Sequence, residues 1–73
     1  MTIVIRKSNG TALVLLAPKE IRLKLWDYKW SIVVEDDFRT ECIRFDSRGD
    51  AENELSRVLY EIENGAKTIT LSE

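Results

Sequence analysis

At 73 residues, 44% hydrophobic and 33% charged, the chain makes one globular domain over residues 1–73, with no room for a second core and too much apolar content for disorder. Its net charge of -2 gives no overall pull toward a polyanion, and no apolar run approaches the roughly 18–20 residues that cross a bilayer. A single cysteine, Cys42, excludes an internal disulfide and suits a reducing compartment, so a cytoplasmic protein is expected.

Residues 2–7 and 11–17 are apolar, β-branched runs around Ser8-Asn9-Gly10. Asn-Gly in that setting predicts a hairpin, because a type I′ turn needs positive φ at both central residues. With Asn9-Gly10 as a two-residue loop, Ile5 faces Val14 and Ile3 faces Leu16. Val4 with Leu15 and Arg6 with Leu13 then fall on the other side. Both faces are partly apolar, more than one side of a hairpin needs. Either the hairpin folds over the rest of the sheet into a small barrel, or one side meets a partner or a second copy of the chain. Residues 12–17 follow Arg6 and Lys7 in the outline of a secretory signal, but the run is short and Pro18 closes it as a turn would; a buried strand is expected.

After Pro18, Ile21, Leu23 and Leu25 alternate with Arg22 and Lys24, the period of a strand. A helix opening at Pro18 competes, since Ile21, Leu25 and Tyr28 also fit helical spacing. Register favours the strand. A four-residue loop at 26–29 sets Leu25, Leu23 and Ile21 against Trp30, Ile32 and Val34. A three-residue turn at Glu35-Asp36-Asp37 sets Trp30, Ile32 and Val34 against Cys42, Thr40 and Phe38. Both loops turn the same side of residues 30–35 inward, which makes that strand the centre of a meander. On this reading Ile32→Asp unfolds the domain and Ser31→Asp is tolerated. Ile43 and Phe45 fall out of phase with Phe38, Thr40 and Cys42, so either a bulge near Cys42 or cover on the back of the sheet is needed.

Ser47 is a helix N-cap with Asp50 three residues on, and Asn64-Gly65 is a stop signal, which predicts a helix over residues 48–64. Ala51, Leu55, Val58, Leu59 and Ile62 form its apolar stripe. Residues 67–71 alternate as a short final strand. The sum is an α+β domain: a small antiparallel sheet, built from the Asn-Gly hairpin and a three-stranded meander, with one helix packed on it and a short C-terminal strand.

No catalytic, cofactor or metal site is expected. Without histidine, the commonest general base and metal ligand is missing. Cys42 reads as a buried thiol in a strand rather than a nucleophile. Glu35-Asp36-Asp37 solvates a turn. Asp46-Ser47-Arg48-Gly49-Asp50 lacks the spacing of a calcium loop, and capping accounts for its residues. The adhesion tripeptide Arg48-Gly49-Asp50 would lie within a helical first turn. The three glycines are isolated, so no phosphate loop exists.

Charge is uneven: residues 1–30 sum to +4 and residues 31–73 to -6. Arg22, Lys24, Trp26, Tyr28 and Lys29 make a basic and aromatic candidate interaction surface. Glu52, Glu54, Glu61 and Glu63 make a candidate acidic face on the helix. The expected function is a small non-catalytic protein–protein interaction or regulatory module, of a kind found in microbes and mobile elements, with self-association as one form of it. The alternatives are a nucleic-acid-binding domain using the basic and aromatic surface, or an acidic inhibitor that imitates nucleic-acid charge.

Overall fold

Six strands and one helix follow in the order β1 (Thr2–Arg6), β2 (Ala12–Leu15), β3 (Glu20–Trp26), β4 (Lys29–Glu35), β5 (Thr40–Phe45), α1 (Arg48–Glu63) and β6 (Thr68–Ser72). This computed structural model describes every residue from Met1 to Glu73. The strands divide into two three-stranded sheets, β2-β1-β6 and β3-β4-β5, and the helix packs against them. The result is the expected α+β domain, with the hairpin and the meander in separate sheets rather than in one.

The first sheet is mixed. β1 pairs antiparallel with β2 and parallel with β6, which returns beside β1 after the helix. The β1–β2 register sets Ile3 against Leu15, Val4 against Val14 and Ile5 against Leu13, one residue away from the two-residue loop. Ser8, Asn9 and Gly10 together form the loop: the Gly10 N–H donates to the Lys7 carbonyl (3.1 Å) and the Lys7 N–H to the Thr11 carbonyl (2.8 Å). Gly10 alone carries positive φ there, at +88°, the geometry of a three-residue turn with a glycine bulge. The one-residue shift exchanges the faces of β2. Leu15 is buried and Leu13 half-buried on the core side, whereas Val14 and Leu16 are exposed.

In the second sheet the β3–β4 register agrees with the expected one, pairing Ile21 with Val34, Leu23 with Ile32 and Leu25 with Trp30. The loop is tighter than four residues: Trp26 pairs with Lys29, and only Asp27 and Tyr28 turn the chain. The β4–β5 register is three residues away from the expected one, with Trp30 against Phe45, Ile32 against Ile43 and Val34 against Glu41. The cause lies in Asp36, whose Oδ1 accepts from the N–H groups of Phe38 and Arg39, both at 2.8 Å. That side-chain turn keeps Phe38 and Arg39 in the loop, leaving Phe38 94% exposed. An odd shift reverses the faces of β5, so Ile43 and Phe45 join the inner side without a bulge. Cys42 moves to the outer side opposite Val33, half-buried.

The core forms between the two inner faces and the helix. Ile3, Ile5, Leu15, Ile69 and Leu71 come from the first sheet, Ile32, Val34 and Ile43 from the second, and Val58 from α1. Each such side chain contributes about 1.5–3 kcal/mol by leaving water. The helix starts at Ser47, whose Oγ accepts from the Asp50 N–H at 3.1 Å. It stops at a left-handed Gly65 (φ +78°), with Gly65 N–H on the Ile62 carbonyl and Ala66 N–H on the Glu61 carbonyl. Ala51 and Val58 are buried and Leu55 and Ile62 half-buried; Leu59, expected in the stripe, is exposed at its margin.

Ser31 is as fully buried as Ile32. Its face of β4 lies between Lys24 on β3 and Arg44 on β5, long side chains beside a short one. An aspartate at 31 therefore loses solvent, contrary to the expectation of free tolerance, but gains two cationic neighbours. Ile32→Asp should unfold the protein, since an unpaired carboxylate in the core costs more than a domain of this size can spare. Ser31→Asp should remain folded and lose on the order of 1–2 kcal/mol. Urea denaturation followed by circular dichroism measures both, and equal losses would contradict the two environments.

Candidate interaction edge

Two three-stranded sheets leave four strand edges, β2, β6, β3 and β5. Each edge presents unpaired backbone N–H and C=O groups on alternate residues. Hydrogen bonding in the chain fixes which residues those are, and three of the four edges carry a charged side chain on them.

On β2 the outward residues include Val14, because the Lys7–Thr11 bond places Leu13 and Leu15 in the bonded pairs. The Arg39 guanidinium donates to the Val14 carbonyl. On β6, bonds from Thr2 to the Lys67 carbonyl and from Glu73 to the Arg6 carbonyl leave Thr68, Thr70 and Ser72 outward. Arg57 Nη2 donates to the Thr70 carbonyl at 2.9 Å. On β5 the Asp36–Arg39 bond leaves Thr40, Cys42 and Arg44 outward. Lys7 Nζ donates to the Cys42 carbonyl, and the Glu73 carboxylate lies near the Arg44 N–H.

β3 differs. A two-residue loop closes on a hydrogen-bonded Trp26–Lys29 pair, and the Lys19 N–H reaches the Glu35 carbonyl at 2.7 Å. Both observations direct the backbone of Glu20, Arg22, Lys24 and Trp26 toward β4. The N–H and C=O groups of Ile21, Leu23 and Leu25 point outward, and no side chain of the protein caps them. At seven residues β3 is also the longest of the four edge strands.

The open edge ends in exposed apolar surface: Leu25 is 55%, Trp26 38% and Tyr28 97% exposed. Asp27 and Tyr28 have φ of 52° and 63°, so a bulky aromatic holds the left-handed conformation in which glycine or asparagine is ordinarily found. Tyr28 therefore costs backbone energy and returns almost no burial, a pattern associated with residues held for contact.

Four of the five expected surface residues lie on this edge or its turn, and the fifth, Lys29, opens β4 beside it. The structure brings them together, but their charges are largely answered. Arg22 pairs with Glu20 (3.1 Å) and Glu35 (3.3 Å), and Lys29 with Asp46 (3.7 Å). The Lys24 ammonium forms no ion pair, though its charge acts on Glu35, and stacks 4.9 Å from the Trp26 ring centre. The Glu35 carboxyl is held below its ordinary value by the Thr40 hydroxyl and then by Arg22. On the expected acidic face, Glu52 pairs with Arg48 at 2.7 Å, while Glu54 and Glu61 both engage Arg57. Leu25 belongs to the edge but was absent from the expected set; its alternation with Leu23 marked it as inward.

Two open grooves lie elsewhere. A polar one of about 490 Å³ runs between Phe45, Asp50, Arg57 and Glu73, with acids and guanidiniums interleaved. An apolar one of about 440 Å³ lies between Val14, Leu16 and Phe38, beside the edge that Arg39 closes. No group of side chains has the geometry to hold a metal ion, and no helix is long and apolar enough to cross a membrane. No protein-family model, curated protein or solved structure matches the chain.

The Glu73 carboxyl also accepts from the Ser8 N–H at 3.1 Å and lies 3.6 Å from the Lys7 ammonium. The Ser8 N–H, then Lys7, hold it below its ordinary value of 4.5. A carboxyl depressed in the folded state stabilises the fold above its unfolded value and loses that contribution as pH falls through the folded one. Stability should therefore fall as pH drops from about 4.5. Glu73→Gln should lower stability at pH 7 and flatten the acid limb of a denaturation series; an unchanged limb would remove this clamp from the account.

Proposed function

We propose that the chain is a small non-catalytic protein–protein interaction module whose contact element is the β3 edge with its Asp27–Tyr28 turn. The observation that carries this reading is the contrast among edges: β2, β5 and β6 are blunted by Arg39, Lys7 with Glu73, and Arg57, whereas β3 keeps its outward backbone free. A strand from another protein added there gains main-chain hydrogen bonds at no cost in displaced caps. Leu25, Trp26 and Tyr28 supply apolar contact at its end, and a rigid two-residue turn holds Tyr28 out with little entropy left to lose.

Nucleic-acid binding is the second reading, favoured by Lys24 on Trp26 beside the exposed Tyr28. It receives less support, because Glu20, Glu35 and Asp46 lie among the cations and a phosphate backbone would meet them. The acidic-mimic reading is weaker again, with Arg48 and Arg57 set into the carboxylates of the helix.

A photoreactive benzoylphenylalanine at position 28 should cross-link to another polypeptide in cells of the source organism, while the same group at Ser56, exposed on α1, should not. Cross-links equal at both positions, or only to nucleic acid at 28, would overturn the reading. Tyr28→Gly separates contact from folding. It should raise stability by roughly 1 kcal/mol by relieving the left-handed tyrosine, while weakening capture of the cross-linked partner. Loss of both stability and capture would mean Tyr28 serves the fold.

A further inference from the structure

We infer that the β3 edge receives an acidic, alternating strand, apolar on one face and carboxylate-bearing on the other, rather than a second copy of this chain. The inference rests on the interaction reading above and names the chemistry of its partner.

Ile21, Leu23 and Leu25 offer three outward donor–acceptor sets along one side of β3. At about 3.4 Å per residue, a segment of five to seven residues would satisfy them. Side chains of an added strand alternate between the faces of the sheet. One set lies beside Leu23 and the half-exposed Leu25, on the side against which α1 packs, and is accordingly apolar. The other lies beside Lys24 and beside Arg22, whose charge Glu20 and Glu35 already answer, so Lys24 alone is left to choose its neighbour. Lys24 has no ion-pair partner in the chain, so a carboxylate opposite it forms a pair where none exists.

A second copy fits poorly for a reason of register. Antiparallel pairing of β3 with itself through the outward groups allows three central alignments. Centred on Leu23, it sets Arg22 opposite Lys24 of the second copy, twice. Centred on Lys24, it sets that lysine against itself. Centred on Arg22, it brings Lys24 to Glu20, but it sets Arg22 on its own symmetry mate and takes Glu20 from it. Each alignment puts like charges directly opposite, which destabilises a strand pair. A glutamate-bearing strand meets no such penalty.

The test uses the full chain, labelled with ¹⁵N, and three capped seven-residue peptides: valine alternating with glutamate, valine alternating with lysine, and a scramble of the first. The glutamate peptide should slow amide exchange at Ile21, Leu23 and Leu25 and bind roughly tenfold more tightly than the lysine peptide. Lys24→Glu should reverse that order, and its gain of lysine-peptide binding shows that the variant is folded. Equal affinity for the two alternating peptides would overturn the inference, as would equal binding of the scramble or protection confined to other strands. So would concentration-dependent protection of β3 without any peptide, the signature of self-pairing. Cross-linking through position 28 without a charge preference would leave the interaction reading standing and the acidic strand refuted. Failure of both would remove both.

Discussion

Every strand edge leaves hydrogen-bonding groups that must be met by water, by the chain or by another molecule, and this protein has four such edges in very little sequence. Splitting six strands into two sheets doubles the number of edges that a single sheet would have. Long charged side chains carry most of the answer. Lys7, Arg39, Arg57 and Glu73 each reach across from a different element to an outward carbonyl or N–H. These groups act less as isolated surface charges, which contribute little to stability, than as covers that deny a strand edge to other chains. The uncovered edge stands out because the others are treated so consistently.

Local signals in the sequence reached as far as local structure did. Ser47 with Asp50, and Asn64-Gly65, bounded the helix because caps are read from neighbours a few residues apart. The β3–β4 register was legible because Ile21, Leu23 and Leu25 match Trp30, Ile32 and Val34 over a whole strand, so the loop length was not needed to find it. The two registers that shifted both turned on one side chain or one bulge. Gly10 took a third residue into the first loop, and Asp36 drew Phe38 and Arg39 into another. Nothing local announced that β6 would lie parallel to β1, since that pairing joins the two ends of the described chain.

The proposed interaction surface was legible as a cluster of residue types and illegible as an edge. Arg22, Lys24, Trp26, Tyr28 and Lys29 are near one another in sequence, and their grouping needed only the hairpin. That Ile21, Leu23 and Leu25 keep free backbone groups depends on the absence of any reaching side chain, a property of the whole fold. The same holds for the charges. Glu20 shares a strand face with Arg22, but Glu35 comes to it only once β3 and β4 are paired, which moves the surface further from a polyanion site.

The parallel pairing of β1 with β6 has a consequence for how the protein is made. Thr2 pairs with Thr68 and Arg6 with Ser72, so β1 waits until β6 has left the ribosome. The hairpin, the meander and the helix involve short closures and form early; the last strand closes a loop that spans the domain. Until then β1 presents the free backbone of Thr2, Val4 and Arg6 with no arginine over it, because Arg57 covers β6 and not β1. A nascent chain thus offers two sticky strands and a finished one offers a single strand. Slow translation of the codons for β6 would prolong that exposed interval without altering the final stability at all.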